Sequence, residues 1–307
     1  EIRGTNIEAV ASDPSNPVDG QVWYNTTSNT VKANYINPGS WATGGSLNTA
    51  RSALAGAGTQ TAALAFGGSP PVVAITESYN GTSWTEVNDM NTARYRLAGV
   101  GTQTAALVFG GFIPPSTAAT ETWNGTNWTA VNSMNTARHF LAGAGTNTAA
   151  LAFGGESPIT AITELWNGTN WAEVNDLNTA RFQLAGCGTQ TAALGFGGYS
   201  GPITANTETW NGTNWTEVNN LNTARQGLAG AGTNTAALAF GGTPAPTGNT
   251  ESWNGTNWTE VGDLGTERYT LAGAGINTSA LAFGGSGPTA ATEEFSSGPA
   301  TVTFDNS

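Results

Sequence analysis

The side chains able to do covalent or acid–base chemistry are few and scattered. His139 is the only histidine and Cys187 the only cysteine in 307 residues. A nucleophile–histidine–acid arrangement would have a single imidazole to draw on. Cys187 stands where other copies of the same segment carry Ala57, Ala144 and Ala231, which reads as a small buried residue. A calcium site needs several carboxylates in one place, and the acids here are spread along the chain. No catalytic residue, metal or cofactor is therefore expected. What does recur is an arginine followed by a glutamate: Arg51 and Glu77, Arg94 and Glu121, Arg138 and Glu164, Arg181 and Glu208, Arg225 and Glu251, Arg268 and Glu293. Two chemistries fit these pairs. One is a ring of guanidinium groups that binds an anion. The other is a buried ion pair, or an arginine-to-carbonyl clamp, in each unit. Arginine's planar fork suits the clamp, and the clamp is the expected role.

The elements that position these pairs are repeats. The arginines step by 43, 44, 43, 44 and 43 residues, each within Asn-Thr-Ala-Arg or, in the last copy, Gly265-Thr266-Glu267-Arg268. Such a period marks stacked units, each too small to bury its own apolar face. Within Arg94–Val131 the sequence predicts four short strands. The first is small, Leu97–Gly101; the second is apolar, Ala105–Phe109, and ends at Gly110-Gly111; the third is Thr120–Trp123; the fourth is Trp128–Val131. Asn124-Gly125 is a hairpin signal, because both residues tolerate positive φ. Four antiparallel strands per period without a helix signal describe a propeller blade. Paired aromatics such as Trp123 and Trp128 would fill the gaps between blades. The expected fold is all-β, a six-bladed propeller over residues 41–295, with an N-terminal hairpin segment (1–40) and a C-terminal tail (296–307). The sixth unit stops at Phe295, so Trp41–Gly45 should supply its fourth strand and close the ring. Tyr35 competes with Phe295 for the third-strand role.

Composition excludes several partners. Nine Lys and Arg stand against 21 Asp and Glu, a net charge of −12. Nucleic acid would be repelled. No stretch is apolar for long enough to span a membrane as a helix, and none reads as a signal peptide.

The six Gly-Gly doublets, the spaced aromatic pair and the arginine before the next unit together resemble the kelch repeat. The aromatic spacing of five departs from that pattern. Kelch propellers include enzymes, adaptors and structural proteins, so the resemblance implies fold more than function. A copper oxidase on such a propeller would need several His and Tyr ligands that this chain lacks. The segment Pro14–Asn29 resembles a hairpin of bacteriophage tail-fibre and virion-surface proteins, and the Gly/Ala/Thr/Asn-rich repeats resemble those of marine phages. These resemblances imply a non-enzymatic, extracellular virion surface protein that contacts host glycan or neighbouring virion proteins. Such proteins often form homo-oligomers, although no heptad gives a symmetry here. The alternative is a secreted bacterial lectin or adhesin. The recurrent Asn-Gly-Thr is formally a glycosylation acceptor, and in a phage product it reads as a turn.

Comparing the copies separates two faces. The turns between first and second strands and between third and fourth strands are nearly constant. The two residues after each arginine, and the loops between second and third strands, differ in every copy. These variable stretches lie on one face of a four-stranded meander. Tyr95, Arg96, Phe112, His139, Phe140, Phe182, Tyr199 and Tyr269 fall there and are the expected partner-binding residues. Neutral drift in exposed loops would also vary these stretches, but it gives no reason for the aromatics.

Overall fold

A computed structural model of the chain describes residues 7–304, and every regular element in that span is a strand. The ends of the expected N-terminal segment and C-terminal tail, residues 1–6 and 305–307, lie outside the described residues. Six sheets form the blades of a propeller, antiparallel throughout except where Glu8–Val10 joins the edge of the last one in parallel. In the first blade the strands run, from the axis outward, Ala55–Gly58, Ala63–Phe66, Thr76–Tyr79 and Trp84–Val87. The next four blades repeat this order from Ala98, Ala142, Ala185 and Ala229. The innermost strands pack against one another in a circle, and the sixth returns to the first.

Small residues line the axis because a neighbour's ring takes the space. A Cβ added to Gly56 would sit 2.4 Å from Cζ of Phe283, which belongs to the preceding blade. The same collision recurs at Gly99 with Phe66 and at Gly186 with Phe153. Each of these phenylalanines also packs on a fourth-strand tryptophan of the next blade, as Phe66 does on Trp128 at 5.1 Å between centroids. The indole N–H of Trp128 donates to Thr76 Oγ1 at 3.0 Å, so its polar end is satisfied inside the interface. Six such interface clusters, rather than one central core, hold the ring together.

The ring closes through both chain ends. The third strand of the last blade, Thr292–Phe304, pairs with Thr30–Thr43, which places Trp41 opposite Phe295 and Thr43 opposite Glu293. Phe295 is buried in the interface position, and Tyr35 pairs with Ala300 farther out. The expected boundaries at 40/41 and 295/296 do not interrupt the chain: both fall within continuous strands, because the two strands pair along a ribbon that runs on where other blades turn. Val22–Asn25 and then Glu8–Val10 extend that sheet outward. One side of it is covered by the chain's own loop, whose Asp13 accepts from Trp23, Asn25 and Lys32. That charge-assisted set of donors holds the Asp13 carboxyl at about 2.

The six arginine–glutamate pairs are buried, with N···O distances of 2.8–3.2 Å. Arg94 illustrates the pattern, and in the other five copies the guanidinium also reaches a second-strand carbonyl, such as Ala65 O for Arg51. The Arg94 guanidinium donates to the carbonyls of Gly110 and Ala119 and to Glu121 Oε1, while Glu121 Oε2 accepts from the amide and side chain of Asn91. Each clamp thus ties the entry of a blade to its second and third strands. Burial lowers the arginine pKa from its ordinary value, and the glutamate opposes that shift.

Candidate recognition site

The residue two places after each clamp arginine adopts a left-handed backbone. Its φ is 52° at Ala53, 58° at Arg96, 54° at Phe140, 53° at Gln183, 63° at Gly227 and 50° at Thr270. These residues form a closed circle of backbone hydrogen bonds around the axis. Arg96 N–H donates to Ala53 O, Phe140 to Arg96, Gln183 to Phe140, Gly227 to Gln183, Thr270 to Gly227 and Ala53 to Thr270, at 2.6–2.9 Å. Glycine is the residue that adopts this conformation without steric conflict, yet only one copy has it. A side chain held here costs on the order of 1 kcal/mol or more, and bulky or β-branched residues such as Phe140 and Thr270 fit it worst. Five copies carry that strain, each with a different side chain.

Inside the circle lies a depression at the mouth of the axis, of about 110 Å³. Leu54, Leu97, Leu141, Leu184, Leu228 and Leu271 line its floor. Its rim is lopsided. Arg96, Phe140 and Gln183 wall one half, while Gly227, Thr270 and Ala53 leave the other low.

The two variable stretches meet outside this circle. The residue directly after each arginine pairs with the residue after the Gly-Gly doublet: Ser52 with Ser69, Tyr95 with Phe112, His139 with Glu156, Phe182 with Tyr199, Gln226 with Thr243. In the last blade the amide of Ser286 donates to Tyr269 O. The doublet makes this return possible: Gly67 and Gly68 have φ of 68° and 114°, and a Cβ at Gly67 would stand 2.6 Å from Arg94 O. Chemistry is matched across several pairs, aromatic with aromatic and His139 with an acid.

Most of the expected site residues come together in an arc over blades two to four. Successive ring centroids lie 5.7 Å apart for Tyr95–Phe112, 4.9 Å for Phe112–His139, 5.4 Å for His139–Phe140, 6.1 Å for Phe140–Phe182 and 5.4 Å for Phe182–Tyr199. Arg96 sits over this arc, its Cζ 4.5 Å from the Phe140 centroid, 4.9 Å from Tyr95 and 5.6 Å from Phe112. Tyr269 lies on the same face but outside the arc. His139 is 7% exposed and is fixed by Ser116 Oγ at 2.9 Å and Glu156 Oε2 at 3.4 Å, so it supports the arc more than it presents itself. Burial lowers its pKa from the ordinary value, Glu156 raises it and Arg96 lowers it. Glu156, Gln183 and the small half of the rim are contributions that sequence reading missed. The variability of their positions was visible, but the backbone conformation that gives it meaning was not.

The opposite turns vary little: Gln60, Gln103 and Gln190 are matched by Asn147, Asn234 and Asn277 in the other blades, and the glutamines reach across to their neighbours. Gln60 reaches Phe295 O at 2.6 Å, Gln103 reaches Tyr79 O, and Gln190 reaches Trp166 O, each in the preceding blade. Asn80 caps its own turn by accepting from the amides of Thr82 and Ser83. Among the described residues no group of three or more His, Cys, Asp or Glu is placed to hold a metal ion. Cys187 is buried in the innermost strand, and burial raises its thiol to about 12. In comparisons with known proteins, the chain matches no family model and no curated protein.

Proposed function

We propose that the protein is a non-enzymatic recognition module whose variable propeller face holds a macromolecular partner. One observation carries the reading: five different non-glycine side chains occupy strained, left-handed positions on one hydrogen-bonded circle, where glycine would be the stable choice. Strain of this kind persists where a side chain is needed. The arc beside the circle supplies rigid aromatic area, the side-chain type that contributes most to binding per residue. The setting proposed is the surface of a virion, where the face contacts host glycan or a neighbouring virion protein. That setting follows from the sequence resemblance of the repeats and of Pro14–Asn29 to phage proteins. The ribbon supports a mounted geometry, since its strands run away from the variable loops and leave that face open.

The test is attachment. Replacing Tyr95, Phe112 and Tyr199 together by alanine should abolish binding to host cells or particles with little change in melting temperature. Retained attachment in that variant, with loss on altering the Asn-Gly turns, would assign recognition to the other face. Mass spectrometry of purified particles tests the virion setting separately.

A further inference from the structure

We propose that the axial depression takes the terminal residue of an acidic saccharide, with Arg96 as the partner of its carboxylate. This deepens the reading of the variable face as a recognition surface and rests on it.

The first ground is an unused cation. Among the described residues every other Lys or Arg has a carboxylate partner: six arginines in the clamps and Lys32 with Asp13. Arg96 has none. Three aromatic rings surround its guanidinium, at 4.5–5.6 Å. Rings hold a cation in place through their π faces, but they accept none of its five N–H groups in a conventional hydrogen bond. A guanidinium so fixed is set for a planar two-oxygen acceptor, and a carboxylate matches that fork.

The second ground is the backbone. Arg96 stands at φ 58°, a conformation in which a long side chain is strained. It shares the hydrogen-bonded circle with Gly227, which shows that the circle closes without a side chain. The arginine is therefore not needed to build the circle.

The third ground is shape. The depression has an apolar leucine floor, a wall formed by Phe140, Arg96 and Gln183, and a low side opposite. At about 110 Å³ it suits one end of a ligand rather than a whole chain. The C–H face of a pyranose rests well on aromatic rings, and Gln183 offers an amide to ring hydroxyls. A peptide fits less well. Its main chain needs backbone donors and acceptors, and the six amides around the mouth are already bonded to their neighbours' carbonyls. The net charge of −12 also selects against polyanions, because each further charge away from Arg96 is repelled.

The experiment titrates the intact protein with glucuronate- and galacturonate-terminated oligosaccharides, with their neutral glucose and galactose counterparts, and with a short glutamate-terminated peptide. The expected result is at least tenfold preference for the uronates, weakened by added salt. Arg96→Gln should abolish the preference and leave weak binding of the neutral sugars. If Arg96→Gln does not fold, the salt dependence and the uronate-to-neutral ratio of the unaltered protein decide. Equal binding of acidic and neutral sugars overturns the carboxylate role and leaves the recognition face intact. Tighter binding of the peptide overturns the saccharide class. No binding of any probe, with attachment still lost in the Tyr95, Phe112 and Tyr199 variant, overturns this proposal while sparing the wider one. No binding of any probe, together with attachment retained in that variant, sinks both.

Discussion

Tyr79 donates its phenolic hydrogen to Glu294 Oε1 at 2.5 Å, across the seam where the first and last blades meet. The other complete blades carry a tryptophan at the position of Tyr79, and none of them places an acid where Glu294 stands. The bond exists only where the ring has to close on itself. Beside it, Trp84 packs on Phe283 and donates to Thr292, as at every other interface. The seam thus has the standard contacts and one extra, charge-assisted bond.

Burial, and then Glu294, push the Tyr79 hydroxyl up to about 12. A raised pKa favours the protonated folded state. Its stability is fully present below the unfolded value of about 10 and is lost as pH rises through about 12. Ultraviolet titration should show one tyrosine ionising late, and Tyr79→Phe should remove that step. The same substitution should lower stability by about 2 kcal/mol, the worth of a hydrogen bond to a charged acceptor. Unchanged denaturation would mean that the seam does not depend on this bond.

Arg181→Ala should destabilise the fold by about 3–5 kcal/mol, because Glu208 is left as a buried, unpaired charge. The double change Arg181→Met with Glu208→Leu should recover most of that loss, since an apolar pair leaves no buried charge. Denaturant unfolding of the two variants separates a structural clamp from an anion site, for which both changes would be mild.

Gln183→Gly should stabilise the protein by about 1 kcal/mol, by relieving a left-handed residue. Gly227→Ala should do the reverse by a similar amount. A Cβ there has 3.5 Å of clearance, so the penalty is conformational and not steric. Calorimetric melting of both variants measures the strain directly. A fall in stability for Gln183→Gly would remove the main support for selection at these positions.

Acid should weaken the protein through His139. Its pKa is lowered by burial in the folded state, so the unfolded chain takes the proton first. Stability therefore falls as pH drops from about 6.5 through the lowered folded value, and levels off below it. His139→Gln should flatten this part of the pH profile. Equal melting profiles for the two proteins would show that His139 accepts its proton without strain.

Much of the architecture was legible because repetition supplies its own comparison. The arginine period gave the blade count, and the early stop at Phe295 with an unclaimed Trp41 gave the closure. The ribbon was harder to see. Ala300–Phe304 alternates apolar and polar residues as a strand does, but its partner, Val31–Asn37, lies at the opposite end of the chain, so no local signal announces the pairing. The site was half legible. Sequence variation marked where residues such as Tyr95 and Phe140 lie, but left-handed φ at Ala53 or Thr270 leaves no trace in residue type. The bond between Tyr79 and Glu294 joins residues 215 positions apart, and neither residue type announces it.

The circle of amides has a consequence for how this surface can change over generations. Every bond in it is made by main chain, so its closure does not depend on which side chains its positions bear. A substitution at one of the six sites alters the presented pattern while the scaffold beneath keeps its wiring. Because the blades are near copies, recombination between repeats can also move a working side chain from one point of the rim to another. The mouth of the axis then behaves as a six-letter word whose letters are exchanged singly or shuffled together, with stability limiting only how many strained letters the word can hold.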